Sequence, residues 1–311
     1  MDNSTNSTQI VSFILAAYGN LGHLKYLYFT IIFLSYITIV VANTGLIVVI
    51  YVERTLHEPM YVFLCSLFVN ELYGSTAIFT CLLSQMLSDT HEVPFIYCFL
   101  QLFCLYTYAI AEYSNLAVMA YDRYVSICYP LQYHVIMTSG RVCVLLLLVW
   151  AYSVILFTVP YSLTVRLRFC GNLINKVYCD IHVIHTLSCS VSTANNVYIL
   201  VVAVASVIVP LIPLSFSYIK VFTVCLKTSK ETKQKAVSTC MPHIVAVTNF
   251  AMGCFFEMCQ SLFDMNHLSG TMRVILSAYL VVCQPLLSPI VYGLNLSKIR
   301  DVGKSFLQNK K

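Results

Sequence analysis

"FIYCFLQLFCLYTYAIAEYSNLAVMAYDRYVSIC", residues 95–128, carries only three charged side chains: Glu112, Asp122 and Arg123. A helix that crosses a bilayer needs roughly 20 mostly apolar residues in a row. This stretch is long enough, and it ends on an adjacent acid and base wedged between Tyr121 and Tyr124. An ion pair at the end of an apolar run needs a reason.

Six further apolar windows surround it. The seven run approximately 25–51, 59–86, 95–128, 140–162, 194–226, 233–262 and 271–292. None alternates polar and apolar residues with period 2, which argues against a β-barrel. Helices are the remaining way to satisfy a backbone in lipid. Composition agrees: 59% of the 311 residues are hydrophobic and 10% charged, against about a quarter charged in soluble domains. The sequence predicts an all-α membrane protein, a seven-helix bundle over residues 25–293. A segment 1–24 precedes it and a short basic tail 294–311 follows. The connections are too short for a separate soluble domain, and no internal repeat stands out.

Lys and Arg set the expected orientation. With the N-terminus outside, inner segments hold thirteen of the eighteen basic residues. The outer ones hold Lys25, Arg166, Arg168, Lys176 and Arg273. This predicts N-terminus out and C-terminus in. The net charge of +5 then reads as a basic inner face, not as nucleic-acid binding. "NSTNST", residues 3–8, offers glycosylation sequons at Asn3 and Asn6. No basic region precedes the short apolar run "VSFILAAYG", so no cleavable signal peptide is expected.

Of fourteen cysteines, ten fall within the windows or at their inner ends, where a free thiol acts as a small buried hydrophobe. Cys98, Cys170, Cys179 and Cys189 face the oxidising side. Four cysteines allow three pairings, and spacing alone does not choose.

Asp122-Arg123-Tyr124 at the end of the third of seven helices resembles the rhodopsin-like G-protein-coupled receptors. More specific are "MAYDRYVSICYPLQY" (119–133), "LHEPMYVFL" (56–64), "SYIKV" (217–221), "KAVSTCMPH" (235–243) and "PLLSPIVYG" (285–293). Together they resemble the odorant (olfactory) receptors over nearly the whole chain. Ser126 stands where Ala is usual, Glu71 where Asp is usual, and Ser288 where Asn usually precedes Pro.

The resemblance implies a receptor for a small-molecule odorant that activates a heterotrimeric stimulatory G protein. It implies a plasma-membrane protein of olfactory sensory neurons, in contact with membrane lipid. In that reading Asp122 holds Arg123 at rest, and Arg123 turns toward the G protein beside Tyr124, Tyr218 and Tyr292, with Pro289 as a hinge. The resemblance also favours Cys98–Cys179 with Cys170–Cys189; Cys98–Cys189 is the alternative.

Intramembrane acids are costly and usually functional. Glu71 lies roughly 18 Å along its helix from Pro59, and Glu112 roughly 16 Å from Arg123, at 1.5 Å per residue. Both therefore sit at similar depth, and Glu112 shares a face with Arg123. Asn43 and Ser288 are placed to complete a polar cluster. That cluster is read as interhelical hydrogen bonding or as a water or sodium site at Glu71 and Glu112.

The ligand pocket is expected in the outer half of the bundle. Its candidates are Leu105, Tyr106, Ala109, Ile110, Val202, Ser206, Phe255, Glu257, Met258 and Tyr279. Glu257 is placed to pair with a cationic ligand, face water or meet Arg273. His182 and His185, at i, i+3 spacing, are weak as a metal site. No enzyme or cofactor motif is present, and none is expected. The competing readings are a related receptor for a non-odorant metabolite, and an ion-coupled transporter or channel using Glu71 and Glu112. The absence of an internal repeat argues against the transporter.

Overall fold

The computed structural model describes residues 11–18, 22–190, 193–226, 230–262, 270–295 and 299–300. Asn3 and Asn6 and most of the tail lie outside them. The described helices are α1 (Leu24–Val52), α2 (Pro59–Leu87), α3 (Phe95–Cys128), the short α4 (Tyr133–Ile136) and α5 (Ser139–Val165). They continue with the short α6 (Ile181–Thr186), α7 (Thr193–Leu226), α8 (Lys230–Leu262) and α9 (Gly270–Asn295). The seven long ones begin and end within three residues of the seven windows.

Three helix starts have a clear local cause. Pro59 sits at the first turn of α2, where its missing N–H costs nothing. Thr138 caps α5 by accepting from the Arg141 N–H. Asp180 caps α6 by accepting from the N–H groups of His182 and Val183.

α3 is the axial helix, packed against α2, α5, α7 and α8. Leu102, Tyr108, Ala111, Leu116 and Ala120 are all buried along it. α1 is peripheral, with much of its apolar surface exposed, as expected of a lipid-facing helix. Close packing of α3 against α2 needs a small residue at Gly74. A Cβ on Gly74 would lie 2.4 Å from the Tyr108 ring.

Residues 1–24 do not all form a free leading segment. Ser12–Leu15 is a strand, β1, pairing antiparallel with β2 (Glu92–Pro94) and parallel with β3 (Leu173–Ile174). Phe13 and Leu15 are fully buried beneath this sheet. The Tyr18 hydroxyl donates to the Val177 carbonyl at 2.8 Å. The disulfides Cys98–Cys179 and Cys170–Cys189 close the same end of the bundle. The first ties α3 to the long loop; the second closes that loop on itself.

Candidate functional site: a cavity, a buried acid pair and an arginine along one axis

Three features line up along α3. At the sheet end lies a cavity of about 220 Å³. Leu105, Tyr106, Ala109 and Ile110 of α3, Val202 and Ser206 of α7, and Glu257 and Met258 of α8 line it. Phe255 and Tyr279 do not. Phe255 is largely exposed and packs against Phe256. The Tyr279 hydroxyl donates to the Asn249 side-chain Oδ1 at 2.7 Å, and its ring meets Phe256 edge-on. These two expected pocket residues make packing and hydrogen-bond contacts outside the cavity lining. The sequence reading misses the loop's contribution: Tyr178, Asp180, Ile181 and His182 reach into the cavity. The Cys98–Cys179 bridge holds them there, a long-range link that no local pattern carries.

Glu257 meets Lys176, a loop residue; the Arg273 side chain lies outside the described residues. The Lys176 ammonium lies 3.1 Å from Glu257 Oε2 and 3.0 Å from Asp180 Oδ2. Burial pulls the lysine's pKa down, but the Asp180 and Glu257 charges outweigh it and the net shift is upward. Burial pushes Asp180 up, but Lys176 and neighbouring donors bring it below its ordinary value.

Beneath the cavity, Glu71 and Glu112 are both fully buried and are electrostatic neighbours. Glu71 accepts from the hydroxyls of Ser288 (2.9 Å) and Tyr108 (3.2 Å). Glu112 accepts from the amides of Asn70 (2.8 Å) and Gln284 (2.9 Å). Asn249 donates to the Gln284 oxygen at 2.6 Å, extending the network to α8. Asn70, Tyr108, Asn249 and Gln284 lie outside the cluster expected from sequence. Each is a polar residue on a face that only the helix packing identifies as inward.

Asn43 makes an interhelical hydrogen bond, but to a backbone carbonyl of α9 and not to the acids. Pro289 lacks an N–H, so the carbonyl four residues earlier loses its helical donor. That carbonyl belongs to Pro285, and the Asn43 amide donates to it at 3.0 Å.

At the far end, Arg123 lies 2.5 Å from Asp122 Oδ2. The Tyr133 hydroxyl holds the other carboxylate oxygen at 2.8 Å. Tyr124 packs edge-on against Phe216 of α7. The Tyr218 hydroxyl bonds to His243 Nδ1, and His243 Nε2 reaches the Leu116 carbonyl at 2.9 Å. The Tyr292 hydroxyl is buried without a partner among the described residues.

Residues 32–310 match the olfactory receptor family. The chain belongs to that family. It is 35% identical to olfactory receptor 8U3 of Mus musculus, covering 97% of this chain and 94% of the relative. It is 34% identical to olfactory receptor 8U1 of Homo sapiens, covering 98% of each. Its fold is similar to squid rhodopsin, with a TM-score of 0.71 at 16% identity, covering 92% of this chain and 79% of that one. The receptor is thus an odorant-activated, G-protein-coupled membrane protein with a seven-helix bundle, not an enzyme. Odorant ligand and G protein are the partners this family membership implies. In the receptor, His185 bonds to Thr164 at 2.9 Å, and no cluster of three metal-binding side chains occurs among the described residues.

Proposed function

We propose that the sheet-end cavity is the odorant site, that the Arg123 end couples to a stimulatory olfactory G protein, and that the acid pair links them. The sheet end faces outward and the Arg123 end inward, at the plasma membrane of olfactory sensory neurons. The basic-residue asymmetry and the disulfides at the sheet end support this orientation. The observation that carries the reading is the alignment on α3. Cavity-lining Ala109, buried Glu112 and ion-paired Arg123 succeed one another on the same helix.

The proposed mechanism is a two-state bundle whose equilibrium the ligand biases. Asp122 and Tyr133 restrain Arg123 at rest. Tyr124, Tyr218 and Tyr292 flank the region that rearranges, and Pro289 permits the bend in α9. One positive charge, a shared proton or a cation, offsets one of the two carboxylate charges, because two neighbouring carboxylates in a dry bundle repel strongly. In the arrangement seen, all four carboxylate oxygens already accept from neutral donors, which fits a shared proton. Sodium would require Asn70 and Gln284 to turn their oxygens toward it. Asn70 Oδ1, buried and unpartnered among the described residues, is the first available.

Coupling is tested in cells with and without the stimulatory α subunit. Odorant-evoked cAMP that requires the subunit, with no accompanying ion flux through the receptor, is expected. Responses independent of it would refute this choice of G protein.

A further inference from the structure

Asp180, Glu257 and Lys176 meet in the wall between loop and α8, with His182 beside them. Asp180 is fully engaged: Oδ1 accepts from the His182 and Val183 N–H groups at 2.9 and 3.1 Å, and Oδ2 accepts from Lys176. Glu257 Oε2 shares the same ammonium. Tyr178 stands beside the Glu257 carboxyl, yet Glu257 Oε1 is buried with no hydrogen-bond partner among the described residues. One lysine thus serves two carboxylates. Among these three described side chains, with all ionised, there is one more negative charge than positive, and the unmet acceptor is on Glu257, which lines the cavity.

The remaining lining is mostly apolar: Leu105, Ala109, Ile110, Phe157, Val202 and Met258 are representative. A buried carboxylate oxygen without a donor is unfavourable. An uncompensated charge against an apolar cavity is more so. A ligand that brings a positive N–H corrects both as the carboxylate turns toward it. A carboxylate ligand would meet two acids whose lysine is already shared between them. A neutral alcohol supplies a donor but leaves the charge.

We propose that the receptor's ligand class is small aliphatic or alicyclic amines, their ammonium bound by Glu257 and their hydrocarbon body by the apolar wall. Lys176 acts as the internal counter-ion that sets how strongly the amine is held. This inference rests on the cavity being the odorant site.

Two readouts separate it from that broader reading. The first is binding, measured as thermal stabilisation of the purified full-length receptor in detergent. The probes are hexylamine and cyclohexylamine, their alcohols hexanol and cyclohexanol, and hexanoic acid. The second is cAMP in cells. Amines are expected to bind the wild-type receptor at least about tenfold more tightly than the matching alcohols, the size of one charge-assisted hydrogen bond. Glu257→Gln should erase that preference, and Lys176→Gln should strengthen it. Equal binding of alcohols or acids, an amine preference that survives Glu257→Gln, or no stabilisation by either amine would overturn the amine assignment. The comparison within the wild-type protein keeps the test decisive if a variant misfolds. Amine binding without cAMP would leave the assignment standing and count against the signalling reading.

Discussion

Asn43 and Pro289 act together although they lie on different helices. A proline in a helix frees a carbonyl, and a buried carbonyl without a donor costs about 1–3 kcal/mol. Asn43→Ala should therefore lower thermal stability by that order, and lower surface delivery with it; an unchanged melting temperature in detergent would contradict the assignment. The acid pair yields a second expectation. Replacing either acid, by Glu71→Gln or Glu112→Gln, removes the same need for a shared proton or cation, so the two changes should be strongly non-additive. A coupling of roughly 0.5–3 kcal/mol is typical of residues in contact. Basal and agonist-evoked cAMP at several sodium concentrations, corrected for surface level, measures it. Additive, sodium-independent effects would reduce the pair to two separate hydrogen-bonding groups. The similar depth of Glu71 and Glu112, and the α3 face that Glu112 shares with Arg123, are expectations that helix rise and period alone supply. Sequence places Asn43 at the right depth with the wrong partner, because it shows a missing N–H but not which neighbour faces the orphaned carbonyl.

The elements at the sheet end make the loop part of the binding site. β1 joins β2 and β3, Tyr18 anchors the loop near Val177, and α6 packs back through His185 to Thr164 of α5. Burial, aided by neighbouring His182, lowers the His185 pKa. A histidine held neutral in the folded state contributes stability that is fully present above its unfolded pKa, near 6.5. That stability is lost as pH falls toward the depressed folded value. Protection factors of residues 181–189, the exchange rates corrected for the intrinsic rate, should therefore fall between pH 7 and pH 5, and His185→Gln should flatten that dependence. Equal pH dependence in both proteins would remove His185 as the anchor. The long helices are readable because apolar length is a one-dimensional signal. β1 is not: its few apolar residues become a strand only because partners some eighty and one hundred sixty positions later lie beside them.

At the scale of the whole molecule, the bundle separates recognition from response. The cavity and Arg123 occupy opposite ends of α3, with the acid pair between them. The most direct test measures ligand binding and G-protein activation on the same preparations of wild type, Ala109→Phe and Arg123→Ala, using an agonist of the wild-type receptor. Filling the cavity with a phenyl ring through Ala109→Phe should abolish both binding and activation, whereas Arg123→Ala should retain binding and lose activation. Undiminished agonist binding by Ala109→Phe, or full activation by Arg123→Ala, would contradict the account.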